Sequence, residues 1–108
     1  MNLSAANTYL RISAKHKPEM LKAAGSNLNV AGYTHGLFGV FAEALKGNES
    51  CMEFLDRQVE VAAKGPSELM LQALADMSVE AHIIHAAPEE PPTPVAESPV
   101  EIIPGVYA

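Results

Sequence analysis

The chain has no tryptophan and only three phenylalanines and three tyrosines, so any core must gather around a handful of bulky side chains. Tyr33, Phe38 and Phe41 lie in one stretch, Asn29 to Lys46, together with Leu37, Val40 and Leu45. The core is expected to form there. Cysteine is nearly absent: Cys51 stands alone and cannot close an internal disulfide. The first residues lack a basic segment followed by an apolar run and a cleavage site, which makes a reducing, cytoplasm-like compartment, or a particle assembled inside a cell, the expected location. Long apolar runs are missing too. The most hydrophobic stretch is interrupted by Thr34, His35 and Glu43, whereas a membrane span needs about 20 mostly apolar residues. No membrane span is expected.

Positive charge is also scarce. Seven Lys and Arg stand against thirteen Asp and Glu, a net charge of −6, and Glu68, Asp76, Glu80, Glu89, Glu90, Glu97 and Glu101 follow Lys64 with no basic residue among them. Binding to phosphate backbones rests on clustered Lys and Arg, and the one cluster here is Arg11, Lys15, Lys17 and Lys22. Nucleic acid is not an expected partner; an acidic chain better suits a basic protein surface.

What the sequence does contain is helical periodicity. At 108 residues the length allows one domain, expected as an all-α bundle of about four helices over residues 1–86, with residues 87–108 as an extended proline-rich acidic tail. The first helix is expected from Ser4, as N-cap, to about His16, with Leu3, Ala6, Tyr9, Leu10 and Ser13 on one side. Pro18 then opens a second short helix, Glu19 to Ala24, which Gly25 ends. Ser26 to Asn29 reads as a turn. In the central stretch, Tyr33, Leu37, Phe41 and Leu45 recur at helical spacing. Gly32, Gly36 and Gly39 line the other side, and each glycine weakens a helix by roughly 0.5–1 kcal/mol relative to alanine. That cost implies a strip on which another backbone approaches closely, so the helix is expected to be buried on two faces. Ser50 to Glu53 fits a capping box opening the next helix, with Met52, Leu55, Val59 and Ala62 or Ala63 inward and Glu53, Asp56, Arg57 and Glu60 as a wet face. Gly65-Pro66 ends it. The last helix, Ser67 to about His85, carries Met70, Leu74, Met77, Ala81 and Ile84 on one stripe, and the short connections favour antiparallel neighbours.

Composition changes after Ala86. Six of the eight prolines follow it: Pro88, Pro91, Pro92, Pro94, Pro99 and Pro104. Such a segment forms neither helix nor central strand, and extended at about 3.1 Å per residue it reaches about 60–70 Å. A purely solubilising tail would not need Val100, Ile102, Ile103, Val106 and Tyr107, and the alternation of Val100 and Ile102 around Glu101 suits an added strand anchored by Tyr107. These five are the expected partner-binding residues, for a protein partner or a neighbouring copy of the chain.

Candidate chemistry is sparse. His82 and His85, three apart near a helix end, have a spacing that can serve one metal, but no third ligand is local and histidines also favour a helix C-terminus. Cys51 at a helix start has its thiolate favoured by the first-turn amides, yet only His35 offers itself as a base, with no acid or oxyanion loop to complete a site. The glycines lack the Gly-Lys-Ser/Thr ending of a phosphate loop. No cofactor and no metal is expected. The expected function is therefore a non-enzymatic structural or accessory subunit, or adaptor, attached through its tail to a larger assembly such as a virion or multi-subunit complex. The alternatives are a small acidic inhibitor of a basic protein, antitoxin- or antagonist-like, and a small metal- or thiol-dependent enzyme.

Overall fold

The computed structural model describes residues 1–86, which form four helices, α1 (Leu3–Ala24), α2 (Leu28–Leu45), α3 (Glu49–Ala63) and α4 (Glu68–Ala86), with no strand among the described residues. The tail expected over 87–108 lies outside them. All four helices start on a side chain able to accept a first-turn N–H. The Ala5 N–H donates to Asn2 Oδ1 at 2.7 Å, Asn29 and Val30 donate to Asn27 Oδ1, Cys51 donates to Asn48 Oδ1, and Met70 donates to Ser67 Oγ. Neither cap expected from the sequence, Ser4 or Ser50, is the one used, and only the last helix starts at the residue expected, Ser67. Ser4 and Ser50 lie inside helices, because asparagine two residues earlier supplies an equally strong cap in each case. Helix α2 likewise begins earlier than expected, at Leu28, within the stretch read as a turn.

The expected break at Pro18 does not occur. Helix α1 runs through it for 22 residues, although an interior proline removes one backbone bond and costs about 3 kcal/mol or more. Burial on both sides of the proline offsets that cost: Ala5, Thr8, Ile12, His16, Met20 and Ala24 form one inward stripe. A helix ending at His16 would leave Met20 and Ala24 with no inward-facing surface. The stripe also corrects the expected inner face of α1, since Leu3 and Leu10 are exposed and a threonine and a histidine are buried instead. Gly25, at φ 58°, closes α1 by giving its N–H to Leu21 and Lys22 carbonyls.

Sequential helices pack against each other, α4 returns against α1, and α2 and α4 touch across the diagonal while α1 and α3 do not meet. The core lies on α2, as its composition suggests. Leu37, Phe38, Phe41, Ala44 and Leu45 are buried there, joined by Leu55 of α3 and by Ala73, Leu74, Met77 and Ala81 of α4. Large phenylalanines beside fully buried alanines let the layers interdigitate. Tyr9 stacks on Phe41 with ring centroids 6.0 Å apart, and Lys17 places its ammonium 5.7 Å from the Phe38 ring centre. The inward faces expected for α3 and α4 are those observed: Met52, Val59, Ala62, Met70 and Ile84 pack partly buried around the fully buried residues.

The two-faced burial of α2 is not observed. Tyr33 is 43 % exposed, its hydroxyl donating to Gln58 Oε1, and the buried side includes Thr34 and Phe38. Gly32, Gly36 and Gly39 are exposed, and a Cβ added at any of them meets nothing within 4 Å. Among the described residues no backbone approaches this strip.

Candidate functional site

Three polar clusters and one cavity are the features with chemical potential, and all three clusters tie α4 to a neighbour. Along the α1–α4 seam, Arg11 pairs with Glu80 at 3.0 Å and Lys15 with Asp76 at 3.1 Å. Each pair is displaced by one helical turn from the other, in opposite senses on the two helices, as antiparallel packing requires. Exposed pairs of this kind are worth a few tenths of a kcal/mol. His16 differs because it is 5 % exposed and meets Asp76 Oδ2 through Nε2 at 2.6 Å. A carboxylate only accepts, so Nε2 carries the proton. The bond from His16, opposed by desolvation and helped by Lys15, holds the Asp76 carboxyl below the usual carboxylate range.

On the α3–α4 seam, Asp56 accepts from Ser78 Oγ and from His82 Nε2, the latter at 3.0 and 3.1 Å. Desolvation pushes its carboxyl up, but the bonds from Ser78 and His82, with the charge on His82, outweigh it and leave the group lowered. The residue types are those of a nucleophilic triad; the order is not. Activating a serine requires histidine between serine and carboxylate, whereas here Asp56 sits between the other two and takes the Ser78 hydroxyl itself. Asp56, expected on a plain wet face, thus acts as a bridge between helices.

At the far end of α4, His85 Nε2 lies 3.1 Å from the Ala44 carbonyl and 3.0 Å from that of Leu45. Carbonyls also only accept, so His85 donates to the last turn of α2, whose carbonyls have no helical partner. Gly47 follows at φ 103°, and its missing Cβ would stand 3.4 Å from the His85 ring. His85→Ala should cost about 0.5–1.5 kcal/mol through loss of this shared bond, read as a lower thermal midpoint; an unchanged midpoint would show that water replaces the imidazole at no cost.

The structure therefore separates His82 from His85: one turns to α3, the other to α2. Among the described residues no group of three or more His, Cys, Asp or Glu is placed to hold a metal ion. Cys51 packs partly buried against the core, and His35, exposed on α2, makes no hydrogen bond among the described residues. No described helix is long and apolar enough to cross a membrane. The tail residues Val100, Ile102, Ile103, Val106 and Tyr107 lie outside the described residues.

Sequence reasoning missed the His16–Asp76 bond. Its signal was available, since His16 stands four residues from both Ile12 and Met20 on one stripe, and Asp76 directly precedes Met77. It also missed an apolar cavity of about 110 Å³ at the end of the bundle where α1 finishes and α2 and α4 begin. Met20, Ala23, Val30, Thr34, Ser67, Leu69 and Met70 line it, and the Ser67 hydroxyl already accepts from the Met70 N–H. The Thr34 hydroxyl donates to the Val30 carbonyl, which leaves the wall without a free polar group at that point. No family model, curated protein or solved structure matches this chain.

Proposed function

We propose that the chain is a non-catalytic accessory or structural subunit in which residues 1–86 are the body and residues 87–108 attach it to a protein partner in a larger assembly, or to a neighbouring copy. The observation that carries this reading is where the reactive side chains are engaged. His16, His82 and His85, with Asp56, Asp76 and Ser78, bond to one another or to backbone across helix seams. Groups used this way hold helices together and are not presented to a substrate. The tail sequence adds five apolar side chains within eight residues, Val100, Ile102, Ile103, Val106 and Tyr107. Ordering an extended segment costs about 1–2 kcal/mol of backbone entropy per residue, so a partner groove that buries these side chains supplies the compensating term.

The net charge of −6 favours a second reading, an acidic inhibitor or regulator that covers a basic surface. Salt separates the two. Attachment through apolar anchors is nearly insensitive to added salt, while binding through surface charge weakens steeply. With the native partner in hand, Val100→Asp combined with Tyr107→Ala is expected to weaken the complex about 100-fold or more, since each apolar side chain removed from a groove forfeits about 1.5–3 kcal/mol. Full affinity in that variant, together with loss of binding in salt, would replace the anchor reading by the electrostatic one.

A further inference from the structure

The cavity at the α1–α2–α4 end has a mostly apolar wall, a partly exposed residue at Val30 and a volume suited to one branched aliphatic group. At about 110 Å³ it is smaller than the roughly 150 Å³ apolar cavity that accommodates benzene. Two methionines in its lining, Met20 and Met70, give it an adjustable shape.

We infer that in the isolated chain this cavity receives the chain's own Ile102–Ile103 segment, so that the apolar residues of the tail are stowed on the bundle until a partner takes them. Three observations select this occupant. The first is reach. The cavity lies at the start of α4 and the tail leaves from its end, so Met70 to Ala86 spans about 24 Å at 1.5 Å per residue. Ile102 follows Ala86 by the same number of residues, and at the roughly 3.1 Å per residue of a proline-rich segment that length covers about 50 Å, enough to return along the bundle to the cavity. A tethered segment long enough to span the distance meets the cavity at an effective concentration above that of a free copy. A neighbouring copy at ordinary concentration competes poorly with that.

The second is charge. Among the described residues Lys22, in the last turn of α1, and Lys64, capping α3, make no ion pair. Both stand at the cavity end of the bundle, and the segment that would arrive there carries Glu97 and Glu101. The third is size, since a single isoleucine side chain matches the volume better than Tyr107 does. This stowed state goes beyond the assembly function and does not require it, because it belongs to the chain alone.

The test uses the full chain labelled at its methionine methyls. In Ile102→Asp/Ile103→Asp, the Met20 and Met70 resonances are expected to shift relative to the unaltered chain, while Met52 and Met77 stay in place. Val95→Asp/Ala96→Asp, an equal change of tail charge away from the segment, moves none of them. The shifts persist on dilution, as an intramolecular contact requires. Identical Met20 and Met70 resonances in both chains would overturn the inference, and so would shifts that vanish on dilution, which would make a neighbouring copy the occupant. Partner binding is absent from this experiment, so its outcome does not depend on whether the assembly function holds.

Discussion

Replacing Gly32, Gly36 and Gly39 together by alanine is expected to stabilise the domain by about 1.5–3 kcal/mol, raising its melting temperature by roughly 6–24 °C for a bundle of this size. Glycine in a helix interior carries the largest backbone entropy loss on folding, and alanine removes it if the added methyl has room. Here it has room: none of the three positions has a positive φ, and each would place its Cβ in open space. Few natural sites offer three such gains on one exposed face. A fall in melting temperature, or a change in association state on substitution, would mean that the strip is covered in the native assembly by a chain that needs the missing side chains. Thermal unfolding of the triple variant beside its light scattering decides between these.

The second large effect comes from Asp76. Asp76→Ala removes the acceptor of a buried imidazole N–H, and a buried donor without a partner costs about 1–3 kcal/mol, far above the few tenths expected from the exposed Arg11–Glu80 pair. Asp76→Ala should therefore lower the unfolding midpoint by several degrees while Glu80→Ala hardly changes it. Acid gives a second readout. The Asp56 and Asp76 carboxyls are both lowered in the folded chain, so the folded state binds fewer protons than the unfolded one as pH falls through the carboxylate range. Their stabilising contribution is complete above the ordinary carboxylate pKa of about 4 and is lost progressively below it. The variant should flatten part of that acid limb. If Asp76→Ala has no more effect than Glu80→Ala, His16 finds water or another acceptor, and the seam is held by packing alone.

Much of the bundle could be read from spacing. The inward stripes of α3 and α4 and the concentration of core residues on α2 follow from residues recurring at three and four, where apolar and polar faces separate cleanly. Helix α1 resisted this reading because its buried stripe includes Thr8 and His16 while Leu3 and Leu10 face outward. Local rules also misplaced its end: proline disfavours continuation by a few kcal/mol, and burial of Met20 and Ala24 outweighs that preference. Serine caps were chosen where asparagines two residues earlier prevail, a competition between near-equal groups that sequence alone leaves open. Glycines at helical spacing suggest a packing face because glycine usually signals close approach, yet nothing among the described residues comes near the strip. At the candidate site the sequence spacing marks the histidines and leaves their partners open, because those lie on other helices. His82 and His85 look paired along the sequence, and only the arrangement of three helices shows one turned to Asp56 and the other to the end of α2.

In the proposed division of labour the bundle's polar groups hold helices together and residues 87–108 attach the chain to its partner. The most direct test compares the full chain with a chain ending at residue 87, each folded state checked by circular dichroism and each used to capture its partner from the native source, with the captured protein identified. The prediction is that both chains show the same four-helix content and that only the full chain retains the partner or self-associates. Retention of the same partner by the shortened chain would contradict the account and place the binding surface on the bundle.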